Sequence, residues 1–171
     1  MSTTIRTTTR FAALLAASAL LITGCSNATP DQAETKPAGQ TVTIEDAWAK
    51  AADEGMTAVF GTLVNKGGDD VTVVSAKTDA AEMSELHETV QNDAGEMTMR
   101  PIEGGLALSH DARVALEPGG DHIMLMGLTA PLKAGDEVTV TLTFSDKSTY
   151  EFTAPVKDYS GANENYDEGG E

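Results

Sequence analysis

Between Met83 and Met126 the chain carries His87, His122 and five of its seven methionines. The densest piece is Asp121-His122-Ile123-Met124-Leu125-Met126. On a strand, alternate side chains face opposite sides, so His122, Met124 and Met126 share one face while Ile123 and Leu125 take the other. The second face reads as core. The first presents an imidazole and two thioethers, expected to face solvent. Earlier in the same stretch, Glu85-Leu86-His87-Glu88-Thr89 supplies a further histidine, and Met97-Thr98-Met99 supplies two methionines of one parity. Imidazole with thioether sulfur, and no thiolate nearby, suits copper, above all the soft cuprous ion. Methionine is more often a core filler than a ligand. The residues alone therefore leave two readings open, a copper site or a methionine-rich core or partner surface. His110, in Ser109-His110-Asp111, falls in a turn and reads as plain surface.

The elements that must position these groups are strands. Val42 to Trp48 alternates, with Trp48 expected as a core anchor. Met56 to Asn65 and Val71 to Ala76 are apolar, β-branched runs around Lys66-Gly67-Gly68-Asp69-Asp70, which reads as a hairpin. Ala80 to Met83 is expected to bend before a strand from Glu85 to Val90. Asn92-Asp93-Ala94-Gly95 is strong turn chemistry, so that strand should pair antiparallel with Glu96 to Ile102, bringing His87 toward Met99. Glu103-Gly104-Gly105 breaks the chain, Arg113 to Leu116 is a short strand, and Glu117-Pro118-Gly119-Gly120 turns into the His122 strand. Asp136 to Phe144 and Tyr150 to Val156 complete the pattern. Short strands with regular turn signals predict an all-β sandwich.

Arg6 and Arg10 precede an apolar run from Phe11 to Ile22, too short to span a bilayer and typical of an export signal. Ile22-Thr23-Gly24-Cys25 resembles the bacterial lipobox, which implies cleavage after residue 24 and lipid on Cys25. Residues 25–40, small, polar and punctuated by proline, read as a disordered tether. The folded domain is expected over 41–157, and 158–171 as a disordered acidic tail. Cys25 is the only cysteine, so an intramolecular disulfide is excluded. A formal net charge of −16 argues against nucleic acid and against attraction to anionic headgroups.

Five segments carry a resemblance to a known family: Asp46-Ala47-Trp48-Ala49-Lys50, Leu86-His87-Glu88-Thr89-Val90, Met99-Arg100-Pro101-Ile102-Glu103, Leu116-Glu117-Pro118-Gly119-Gly120, and His122 through Leu128. In this order, over about Thr41 to Val156, they resemble the periplasmic CuA chaperones, PCuAC. The resemblance implies a cupredoxin-like Greek-key β-sandwich or barrel and Cu(I) held by His87, Met99, His122 and Met124. Together with the lipobox-like stretch ending in Cys25, it implies a lipid-anchored copper carrier on the extracytoplasmic face of the cell membrane. Copper would go to the CuA centre of cytochrome c oxidase, the partner being an oxidase subunit or another copper chaperone. Eleven residues separate His87 from Met99 and twenty-two separate Met99 from His122. Each gap is one longer than the family's spacing, and the surplus fits the turns. Met97, of the same parity as Met99, is the rival sulfur.

Other classes fit less well. The chain has no nucleophile triad in motif context, no phosphate loop and no open zinc signature, so an enzyme is not expected. Blue-copper electron transfer needs a cysteine ligand that the folded region lacks. Copper storage or tolerance, or a structural β-sandwich lipoprotein without metal, are the alternatives.

Overall fold

The computed structural model describes residues 36–161 and 165–166. Its strands are Val42–Lys50 (β1), Met56–Asn65 (β2), Val71–Lys77 (β3), Ala81–Gln91 (β4), Met97–Pro101 (β5), Leu106–Leu108 (β6), Arg113–Leu116 (β7), His122–Leu128 (β8), Glu137–Phe144 (β9), Thr149–Lys157 (β10) and Asn165–Tyr166 (β11). The one helix among the described residues is a single turn, Ala38–Thr41 (α1).

Strand neighbours follow the path β11-β5-β4-β8-β2-β1-β10-β9-β3-β6, with β7 beside β2. The two halves of the path meet where β1 runs parallel to β10, through Ala49↔Val156 and Lys50↔Lys157. Alternation in β9 and β10 buries Val138, Val140, Leu142, Phe144, Phe152, Ala154 and Val156. These residues share one core with Val42, Val59, Leu63, Leu86, Ile123 and Leu125 from the other half. Two layers therefore close face to face over a single apolar interior, the all-β sandwich that the strand pattern predicts.

The expected β2–β3 hairpin does not form. β2 lies between β1 on one edge and β8 followed by β7 on the other, whereas β3 pairs with β9 and β6. Residues 66–70 instead cross between layers, anchored by the buried Asn65. Its amide nitrogen lies 2.8 Å from the Asp69 carbonyl and 3.1 Å from that of Ser109, and its oxygen accepts from the Gly67 N–H. Of the bend expected at Ala80–Met83, only Ala80 lies in a turn, and the strand begins at Ala81. β8 runs on to Leu128 and offers Ala81 and Met83 ladder partners, so β4 extends to meet it. β6, only three residues long, carries too short an alternation to stand out in the sequence.

Two stretches expected to be disordered contain order. In the expected tether, Ala38 is buried, its N–H donates to Asp146 Oδ2 at 2.8 Å, and the Gly39 N–H donates to Ser148 Oγ at 2.8 Å. Hydrogen bonds from Ser148, then from the Ala38 amide, hold the Asp146 carboxyl below its ordinary range. In the expected tail, Asn165 and Tyr166 pair with Thr98 and Met99 of β5, an edge whose backbone groups need partners. The expected export signal, Cys25 and most of the expected tether lie outside the described residues.

A bulge in β1 shifts its register on β2 between Glu45 and Trp48, with Asp46 at φ 52°. The bulge sets Trp48 opposite Phe60, on the face away from the core. The expected core anchor is thus a half-buried ring 4.6 Å from Phe60 and 5.3 Å from Tyr159, beneath the Lys157 ammonium. Gly61 accommodates the bulge at φ 152°, where a Cβ would lie 2.9 Å from Ile44 Cδ1 and 3.1 Å from Ala47 Cα. We expect Gly61→Ala to destabilise the fold by about 1–3 kcal/mol in urea unfolding. Gly68→Ala, whose Cβ would meet nothing within 4 Å, should change stability by less than about 0.5 kcal/mol.

Candidate metal centre

The site is assembled by three adjacent strands, β5, β4 and β8. β4 and β8 run antiparallel with His87 directly opposite His122, and their ring centroids are 5.7 Å apart. One step along, Glu85 faces Met124. On the other edge of β4, Thr89 faces Met99 and Gln91 faces Met97. Antiparallel partners point to the same side, so His87, His122, Met124 and Met99 project from one face. Ile123 and Leu125 project from the opposite face into the main core, as alternation requires.

The expectation that this face meets solvent is overturned. His87 is 0% exposed, His122 2%, Met124 4% and Met99 8%. Met99, Met124 and Met126 form a buried cluster of their own, separate from the main core. Phe60 and the Pro118–Gly119 turn wall a cleft of about 200 Å³ that Met56, Met99, His122 and Met124 also line. Apolar thioethers and a phenyl ring bury one another even on the outer side of a sheet, which a two-face reading of single strands does not register.

Met97 and Met99 share parity but not environment. Met97 is 46% exposed, near the hairpin turn, while Met99 packs with Met124 and Met126. The turn between β4 and β5 is closed by Asn92, whose N–H donates to the Glu96 carbonyl and whose Oδ1 accepts from the Ala94 and Glu96 amides. This turn lies between His87 and Met99 in the chain. His110 sits apart, with an exposed ring 3.6 Å from Asp70.

Two acceptors set the imidazoles. His122 Nδ1 lies 2.9 Å from the Gly120 carbonyl oxygen, which can only accept, so Nδ1 carries the proton and the lone pair falls on Nε2. The same carbonyl accepts from Thr89 Oγ1 at 3.1 Å, tying β4 to the turn before β8. His87 Nε2 lies 3.0 Å from Glu85 Oε2, so its proton faces the carboxylate and its lone pair falls on Nδ1. Fixing one ring N–H on a carboxylate or carbonyl is how proteins orient a histidine for a metal. Neither acceptor was singled out from the sequence. Glu85 could have been, since it stands two residues before His87 on the same face; a backbone carbonyl leaves no such trace. Beside the site, burial and then the Glu88 carboxylate push the Asp121 carboxyl up, with His122 opposing.

Among the described residues, no three His, Cys, Asp or Glu side chains come together as a metal-binding group. The donors gathered here are two imidazoles and thioethers. Such a set fits Cu(I), which takes soft neutral ligands, better than zinc, which prefers thiolate, imidazole and carboxylate.

The sandwich has counterparts of known structure. The copper-bound PCuAC domain from PmoF2 superposes with a TM-score of 0.58 at 20% identity, covering 73% of this chain and 98% of that one. Apo-DR1885 from Deinococcus radiodurans superposes with a TM-score of 0.54 at 29% identity, covering 94% of this chain and 98% of that one. The fold is that of a PCuAC domain, as the motifs implied. Residues 42–156 match the family described as "Putative lipoprotein LpqE-like", and the chain belongs to that family. The "Putative lipoprotein Lxx21020" of Leifsonia xyli subsp. xyli is 48% identical over 157 residues, which span 91% of this chain and 93% of that protein.

Burial changes what truncation should cost. Met124→Ala should lower the stability of the metal-free protein by about 2–5 kcal/mol, because it empties a packed position. Met97→Ala, at an exposed position, should cost less than about 0.5 kcal/mol. Chemical denaturation of the two variants checks the contrast, and equal losses would contradict the placement of Met124.

Proposed function

We propose that the protein is an extracytoplasmic Cu(I) metallochaperone, anchored by lipid on Cys25, that holds one ion through His87, Met99, His122 and Met124. The observation that carries this reading is the pair of facing buried imidazoles, each with one N–H held by an acceptor, beside a buried methionine cluster. His87 Nδ1 and His122 Nε2 are the nitrogens that would bind. The sulfurs of Met99 and Met124 would complete the set. The PCuAC fold and the copper bound in the PmoF2 domain support the choice of ion.

These ligands suit a carrier. Thioether sulfur is neutral and aprotic, so it neither competes for protons nor holds the ion as tightly as thiolate does. Glu85 and the Gly120 carbonyl keep both imidazoles in the binding tautomer before the ion arrives, so little reorganisation accompanies loading. Handover then runs toward a recipient that offers thiolate. Delivery to the CuA centre of cytochrome c oxidase is the destination we assign, on the resemblance to PCuAC motifs. The lipobox-like Ile22-Thr23-Gly24-Cys25 and the lipoprotein description of the family support the anchor.

Competition titration with a chromophoric chelator, in reducing buffer, should give one tight Cu(I) equivalent and much weaker zinc binding. Glu85→Ala should weaken that equivalent by about 10–100-fold through loss of the histidine's orienting partner. Zinc binding as tight as copper, or no copper at all, would refute the reading. Separately, Cys25→Ser should move the protein from the membrane fraction to the soluble one while its copper equivalent remains; a variant that stays on the membrane would remove the anchor.

A further inference from the structure

The four proposed ligands lie beneath the surface, so an ion can reach them only along a path. The register of three strands reveals one. On the outer face, His87 of β4 faces His122 of β8. In the next tier Glu85 faces Met124, which faces Ala58 of β2. In the third tier Met83 faces Met126, which faces Met56. That third tier is entirely thioether. Its flanking members are open, Met83 at 50% and Met56 at 47% exposure, while Met126 between them is 7% exposed.

Two observations tie this tier to the buried centre. Met126 packs in one cluster with Met99 and Met124. Met56 lines the cleft whose other walls include Met99, His122 and Met124. The cleft therefore has a half-exposed methionine, Met56, in one wall with three of the proposed ligands, Met99, His122 and Met124. Directly opposed strand residues hold their Cβ atoms about 4.5–5.5 Å apart. Methionine's flexible, unbranched side chain lets sulfurs at that spacing converge on one ion.

We propose that Met56, Met126 and Met83 form a second Cu(I) site, a three-thioether loading port. From it the ion passes over Met126 and Met124 to His87 and His122. The inference rests on the function proposed above and deepens it. In each step one sulfur–copper bond breaks as a bond from copper to the next sulfur, or at the inner centre to an imidazole nitrogen, forms; copper stays cuprous, and no proton moves because thioethers carry none and the imidazoles bind through the nitrogens that bear the lone pairs. With no imidazole, the port binds more weakly than the inner centre and releases inward.

The test uses the full chain and the double variant Met56→Leu/Met83→Leu, which conserves volume and apolar character and so keeps the fold. Cu(I) is supplied as its bicinchoninate complex under anaerobic reducing conditions, and loading is followed by loss of the chelate's colour. The wild type should take one tight and one weaker equivalent. The variant should keep the tight one, lose the weaker one, and load several-fold more slowly. In the wild type, Ag(I) added beyond one equivalent should shift the methyl NMR signals of Met56, Met83 and Met126. Loading at wild-type speed, or methyl signals of Met56 and Met83 that stay put, would overturn the port while leaving the inner centre standing. Loss of the tight equivalent in the variant would also overturn it, by making these methionines part of the inner site. A wild type that binds no Cu(I) would overturn both.

Discussion

The antiparallel register of β4 on β8 is the constraint from which the rest of the site follows. It sets His87 against His122 and aligns Glu85 with Met124 and Met83 with Met126. Side chains alternate with a period of two, so a slip of one residue would exchange Ile123 and Leu125 with the imidazole and the thioethers. The register is held from both sides. The core fixes Ile123 and Leu125, and the Gly120 carbonyl, shared by His122 and Thr89, fixes the outer face. Core packing and donor geometry are thus two readings of one alignment.

Much of this was legible in the sequence because β8 alternates so cleanly. The parity of His122, Met124 and Met126, the turn at Asn92–Gly95 and the alternation of β9 and β10 each report local chemistry. The same locality explains the failures. Whether Asn65 turns back to β3 or leads the chain across to the other layer depends on the carbonyls of Asp69 and Ser109, the latter distant in sequence. Trp48 looked like core because it is large and apolar, yet a bulge rotates it outward onto Phe60. The burial of the donor face was hidden for a related reason, since methionines from β5 and β8 shield one another only after the strands pair. The different surroundings of Met97 and Met99 likewise depend on where the hairpin lies against its neighbours.

Methionine does two jobs in this molecule. As a flexible apolar filler it completes a second, smaller hydrophobic cluster outside the main core. As a soft donor, in the function we propose, the same side chain offers sulfur to Cu(I). The two roles are compatible because a thioether costs little to bury, unlike a carboxylate or an ammonium. A centre built from oxygen donors could not be sealed beneath a sheet surface in this way without paired charges.

The docking of α1 fixes where the chain enters the domain. A pull on the chain ahead of Lys36 reaches the hydrogen bonds from Ala38 to Asp146 and from Gly39 to Ser148 before it reaches β1. Those acceptors sit in the β9–β10 turn, on the layer opposite the β4–β8 face. The turn acts as a cleat. The chain ahead of β1 is thus fastened to the layer that does not carry the two imidazoles.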